Sequence, residues 1–160
     1  MPYTLKVEGM EKITGMLTKA GEAAEGIAAQ ALYKGAGIVA DEISREARGV
    51  TTKPFRYANG WQREPSPEEK AAIVAAGAAG IAKFQKTGNE VNTSVGYSRS
   101  GYAMIAGKLK PIPKIVNAIN SGTSFMKKQP FIRKAVSKSQ SKATGAISAE
   151  VERLVAEILK

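Results

Sequence analysis

The chain has 160 residues, 24 lysines and arginines against 14 aspartates and glutamates, and neither cysteine nor histidine. That length fits one domain, 1–160, able to bury about two-thirds of its unfolded surface without a disulfide or metal staple. The two missing residue types exclude thiolate sites, zinc fingers and nucleophile systems built on histidine, while the net charge of +10 points to an anionic partner or an acidic protein wall.

Tyr3, Leu5 and Val7 alternate with Thr4 and Lys6, which predicts a short strand ending near Gly9. Met10, Ile13, Met16 and Leu17 then recur at helical spacing. Lys6, Glu8, Glu11, Lys12 and Lys19 interrupt any apolar run that a secretory leader would need. A long helix is expected over 22–48, its apolar side built from Ile27, Ala31, Leu32, Ile38, Val39 and Ile43. Gly26, Gly35 and Gly37 each cost that helix about 1 kcal/mol against alanine. With Ala24, Ala28 and Ala36 they allow a neighbouring backbone to come close.

Residues 49–65 read as an extended loop in which Phe55, Tyr57 and Trp61 interleave with Lys53, Arg56 and Arg63. That mixture suits a base-stacking surface, and it equally suits a loop pinned to a core by its rings. Ser66–Pro67–Glu68–Glu69 is a helix start: serine as N-cap, proline in the first turn, Glu69 closing a capping box. The helix is predicted to run to about Lys86, with Ile73, Val74, Ile81 and Phe84 on its apolar side and Thr87–Gly88–Asn89 as its stop. Its stretch from Ala71 to Ala82 is the longest apolar run, about twelve residues against the roughly 20 a bilayer requires.

Val91, Thr93, Val95 and Tyr97 alternate with polar residues and predict a strand. A turn at 98–101 and a returning strand from Tyr102 to Leu109 would make it a hairpin. Lys110–Pro111–Ile112–Pro113 ends the pair, and a short helix is expected over 114–120. Pro130 opens a final helix carrying Phe131, Ile132, Val136, Ile147, Val151, Leu154, Val155 and Ile158, which Gly145 could divide. The fold class is α+β: long N-terminal helices, a small antiparallel sheet containing a hairpin, and a long C-terminal helix.

No catalytic pattern is present. The Gly77–Gly80 stretch lacks the Gly–Lys–Ser/Thr ending of a phosphate loop, and Gly35–Ala36–Gly37 lacks the third glycine of a dinucleotide fingerprint. Asp41, the only aspartate, adjoins Glu42 on a helix where neighbours point apart. Glu68 and Glu69 suit the positive end of a helix. The expectation is a binding or structural protein with no enzyme activity, cofactor or metal.

The charge is unevenly placed. Between Glu90 and Glu150 lie ten bases and no acid, while the rest of the chain balances at 14 of each. Either this is a solvated basic face, or it meets phosphate or a carboxylate-rich surface.

Within it, Gly122–Thr123–Ser124, then Pro130–Phe131 and Ala135, resemble the signature of the head–tail joining and tail-completion proteins of long-tailed bacteriophages. The opening strand and the long helix through Gly35 and Ala36 are similar to that family as well. Between them the chain departs from it, because 49–86 holds a long loop and an extra helix where family members carry an Ala–Pro and Thr–Gly pair. The resemblance implies a minor virion protein of the neck, made in the host cytoplasm and built into the head–tail junction. It implies a homo-oligomeric ring, commonly sixfold, touching the tail terminator or the connector, close to packaged DNA and away from any membrane. Lys108, Lys110, Lys127, Lys128, Arg133 and Lys134 would then form its partner- or DNA-facing surface. Two other readings stay open: a free nucleic-acid-binding protein using those bases with Phe55, Arg56, Tyr57, Trp61 and Arg63, and an assembly chaperone absent from the finished particle.

Overall fold

The computed structural model describes residues 3–5, 23–53, 62–77, 80–88, 90–97 and 100–158. The expected helical run from Met10 to Leu17 and the rings of Phe55, Tyr57 and Trp61 lie outside them. Among the described residues the fold is α+β, with helices α1 (Ala23–Arg48), α2 (Pro67–Ala76), α3 (Ile112–Ser121) and α4 (Phe131–Ile158). The strands are β1 (Tyr3–Leu5), β2 (Gly80–Ile81), β3 (Gln85–Thr87), β4 (Glu90–Gly96), β5 (Tyr102–Ile105) and β6 (Lys108–Pro111).

The frame is the antiparallel pair α1–α4. Small residues let the two backbones approach: Ala28, Ala31, Gly35, Ala36, Ala40 and Ala47 from α1 meet Ala135, Ser139 and Ala143 from α4, all buried. A Cβ on Gly35 would sit 2.5 Å from Ile147 Cδ1 and 3.3 Å from the Ala143 carbonyl oxygen. Ser139 disposes of its hydroxyl within its own helix, donating to the Ala135 carbonyl at 2.7 Å. One core cluster fills the end of the pair containing Val39, Ile43, Phe131 and Ile132, together with Ile73, Ile115 and Ile119 from α2 and α3. A second joins Ile27 and Leu32 to Ile147 and Val151 at the other end. Gly145 does not divide α4, which runs through it unbroken.

Ion pairs bracket the helix pair. Lys34 Nζ lies 2.6 Å from Glu150, and Lys138 pairs with Glu46 across the other end. Arg153, one turn on, also grips Glu150 at 2.6 Å. Hydrogen bonds from Arg153 and then Lys34 hold the Glu150 carboxyl down at about 2, against burial pushing it up.

β4 is the centre of the main sheet, paired antiparallel with β1 on one side and with β2 and β3 on the other. Two expectations are corrected here. The helix begun at Ser66 stops at Ala76 and does not reach Lys86, because Gly77 takes φ +59 and the chain turns back as β2 and β3. Gly80 lets β2 lie against β4, where a Cβ would come 2.7 Å from the Gly96 carbonyl oxygen. The alanine-rich helical pattern therefore loses to strand pairing, an outcome that propensity alone does not forbid. The hairpin is also displaced. β4 does not pair with the returning segment; β5 and β6 pair with each other, Met104 opposite Leu109 and Ile105 opposite Lys108. Their two-residue turn places Ala106 at φ 49 and Gly107 at φ 75, the doubly left-handed geometry that suits the twist of a hairpin. Alanine pays roughly 1–2 kcal/mol for that conformation, offset in part because its amide donates to Glu68 Oε2 at 2.8 Å.

Two outcomes test the helix frame. Gly35→Ala is expected to destabilise the fold by about 1–3 kcal/mol through overlap with Ile147, whereas Gly145→Ala, with nothing within 4 Å of its Cβ, should stabilise it by about 1 kcal/mol; urea unfolding reads both. The carboxyl of Glu150 is lowered from its ordinary 4.5, so its contribution is complete above that value and is lost as pH falls towards about 2. The melting temperature should drop across that window, and Glu150→Gln should flatten the drop.

Candidate partner-facing surface

The residues of the family-like segment hold the entry to α4. Gly122 stands at φ +77 after α3, donating its amide to the Ala118 carbonyl at 3.0 Å. A Cβ there would lie 3.0 Å from that of Lys128, so glycine is required by both conformation and space. Thr123 closes the next turn: its hydroxyl accepts from the amides of Phe125 at 3.2 Å and Met126 at 2.9 Å. Ser124 is exposed in the bend. Pro130 ends the loop, and its carbonyl accepts from Lys134 N–H at 3.1 Å. Phe131 is buried and sets its ring edge against Tyr97, centroids 6.3 Å apart. Ala135 is fully buried under α1. Asn120 supplies the side-chain oxygen for the Ile132 amide at 3.1 Å, capping α4 from the end of α3.

Gln129 ties this loop to the rest of the fold, and nothing in the sequence singled it out. Its amide donates to the Ile119 carbonyl at 2.8 Å, and its Nε2 donates to Thr51 O at 2.9 Å and Glu64 Oε2 at 2.8 Å. Its Oε1 accepts from both the amide and the hydroxyl of Thr51 at 3.0 Å. The side chain thus fixes two segments distant in sequence, around Thr51 and Glu64, while the backbone amide holds the end of α3.

The six candidate bases fall in two places, strand β6 and the entry to α4. Lys108 and Lys110 belong to β6; Lys127 and Lys128 precede α4, and Arg133 and Lys134 lie in its first turn. Lys127 reaches Glu64 at 3.5 Å. Among the described residues the other five form no ion pair. Lys128 and Lys134 border an open cleft of about 220 Å³ whose remaining walls are Glu46, Gly49, Val50, Gln129, Pro130 and Phe131. The carboxylates nearby are committed, Glu46 to Lys138 and Glu64 to Gln129 and Lys127. The first turn of α4 has no acidic residue, so its cations oppose the helix dipole.

Arg63 sits differently from the other aromatic-loop candidates. Its guanidinium donates to both oxygens of Glu69 at 2.7 Å and to the Glu64 carbonyl at 3.2 Å. Glu69 is itself the capping-box residue, accepting from the Ser66 amide at 2.9 Å. Burial would raise its carboxyl, but Arg63, the Ser66 amide and the charge of Lys110 hold it below the ordinary value. Phe55, Arg56, Tyr57 and Trp61 lie outside the described residues. Among the described residues no cluster of ligating side chains could hold a metal ion, and no helix is long and apolar enough to cross a membrane.

Two substitutions here should move stability in opposite directions. Gln129→Ala leaves the Thr51 amide and carbonyl without their partner and Glu64 with Lys127 alone, and should cost about 1–3 kcal/mol. Tyr97 has a buried hydroxyl with no hydrogen-bond partner, and burial pushes its ionisation up to about 12. Tyr97→Phe removes that unmet polar group, keeps the ring contact, and should stabilise by about 1 kcal/mol, read by urea unfolding.

Compared with protein-family models, curated proteins and solved structures, the chain matches none of them.

Proposed function

We propose that this chain is a non-enzymatic virion subunit of the neck of a long-tailed bacteriophage, forming a ring that completes or joins the tail to the DNA-filled head. The observation that carries the reading is the Gly122–Ala135 segment. Its resemblance to the neck-protein signature extends to residue types that have definite structural work here: a left-handed glycine, a threonine-closed turn and a proline–phenylalanine entry to α4. The cations beside that entry that form no ion pair among the described residues support it: the carboxylates near them, Glu46 and Glu64, are engaged by Lys138 and Lys127, so the rim stays cationic and is matched by DNA phosphate or by an acidic neighbour. The exposed apolar residues of β5 and β6 suit a protein that works in an assembly.

Quantitative mass spectrometry of purified particles tests the assignment. A few copies per particle, comparable to one ring and far below the major capsid protein, is the expected result. The chain confined to the soluble fraction would overturn it in favour of the chaperone or the free nucleic-acid binder. Lys128→Glu with Lys134→Glu should lower the yield of tailed, infectious particles at least tenfold without lowering the melting temperature. Unchanged yield would remove these two residues from the interface.

A further inference from the structure

Among the described residues Phe125 is the most exposed large apolar side chain, at 76 %, ahead of Leu109, Met104 and Tyr102 on the hairpin. It stands at the tip of a pinched loop. At the base of that loop a Cβ on Gly122 would meet Lys128 Cβ at 3.0 Å, and within it the Thr123 amide donates to the Met126 carbonyl at 3.0 Å. The Phe125 amide donates to the Thr123 hydroxyl at 3.2 Å, and its carbonyl accepts from the Arg63 amide at 2.8 Å. Met126, next in the chain, is buried in the larger core cluster. Arg63 is gripped in turn by both oxygens of buried Glu69. With the backbone already fixed on both sides, covering the ring orders little beyond the side chain itself. That economy is the property of an interface anchor.

The surroundings of the ring decide what covers it. A duplex presents mainly phosphate and sugar to a surface contact, which gives a phenyl ring no apolar cover. An unpaired strand can stack a base on it, but such sites also track the strand's backbone with cations. Here the two flanking cations are spent: Lys127, two residues along, on Glu64 at 3.5 Å, and Arg63, across the bridge to Met126, on Glu69 at 2.7 Å. The exposed groups beside them are neutral, Ser124 in the turn and Gln62, whose side chain donates to the Thr123 carbonyl. An apolar anchor within a polar rim is the anatomy of a contact between proteins. Beyond that rim the charge is positive. Lys128, at the base of the loop, shares the cleft with Lys134, and neither forms an ion pair among the described residues. Two copies meeting through this face would oppose the same lysines, which association disfavours.

We infer that Phe125 anchors this chain to a different protein, seated in an apolar pocket of that partner whose border towards Lys128 and Lys134 carries carboxylates. The inference rests on the reading of the chain as a subunit joined to its neighbours, and it commits to a protein where that reading admits phosphate as well.

The test uses the full chain with photoreactive p-benzoylphenylalanine in place of Phe125, irradiated in cells that are assembling particles. Mass spectrometry then locates the crosslinked residue. The expected adduct lies on a different protein, at an apolar residue with aspartate or glutamate beside it. Its yield should fall at least tenfold when Lys128→Glu and Lys134→Glu are added. Adducts to nucleic acid, adducts between two copies of this chain, no adduct, or a yield that ignores the lysine reversal would each overturn the inference. Fluorescein-labelled oligothymidylate and a duplex of equal length supply the solution reading. Phe125→Ala should change their affinities less than twofold; a tenfold loss for the single strand would make the ring a base-stacking platform and overturn the proposal. In particles, Phe125→Ala should lower infectious yield at least tenfold with an unchanged melting temperature, and Phe125→Leu, which keeps an apolar anchor, should recover most of it. Full yield from Phe125→Ala would count against the anchor. The two readings fail separately: a chain missing from particles that still crosslinks through position 125 to an acidic-bordered pocket sinks the neck assignment and leaves the anchor standing.

Discussion

The close approach of α1 to α4 is the constraint on which the other elements depend. Gly35 lies where any side chain would strike Ile147, and alanines and a serine fill the seam on either side. Small residues bury little apolar area each, so the seam gains from contact along its whole length more than from any single anchor. The larger side chains are displaced to the two ends, where they collect as separate clusters. α2, α3 and the sheet then pack onto those ends. Lys34–Glu150 and Lys138–Glu46 span the pair in opposite senses and oppose sliding of one helix along the other, since a shift of one turn would separate both.

That frame decides where the cations go. α4 must present Ala135, Ser139 and Ala143 to α1, so Arg133, Lys134 and Lys142 fall on its outer surface. Asn120 and Gln129 fix the start of the helix, and with it the rim of the cleft that holds Lys128 and Lys134. Among the described residues two bases of the acid-free run find carboxylates by ion pairing: Glu46 takes Lys138, and Glu64 takes Lys127. Lys108, Lys114, Lys128, Arg133, Lys134 and Lys142 stay exposed.

The elements legible in the sequence were those whose signal is local or periodic. α1 and α4 announced themselves by apolar spacing, the start of α2 by its capping box, and β4 by strict alternation. Gly122 and Pro130 were legible because each residue type suits one backbone geometry. The misread elements divide into one local miss and others that depend on partners far along the chain. Alanines after Ala76 favour helix in isolation, but Thr87 pairs with Glu90 across a Gly88–Asn89 connection, a local hairpin signal that the helical reading took for a stop. The turn at Ala106 was invisible because alanine in a left-handed conformation is stabilised by Glu68, thirty-eight positions away. Gln129 was missed for the same reason: its side chain makes four hydrogen bonds, all to Thr51 and Glu64. The candidate bases were legible as a charge run, yet their division between hairpin and helix entry came from tertiary structure.

The same division bears on what kind of partner the surface fits. A chain that merely needed solubility would scatter its charges and cover its apolar side chains. Here Lys128, Arg133 and Lys134 at the α4 entry form no ion pair among the described residues, and the hairpin next to α2 and α3 turns three large apolar residues outward. Exposed lysines alone would suit loose, salt-sensitive contact with a polyanion. Exposed apolar residues on an anchored platform cost solubility unless they are covered in the working state. Both features sit on elements packed against the same core cluster, so the α1–α4 seam that fixes one also fixes the distance between them.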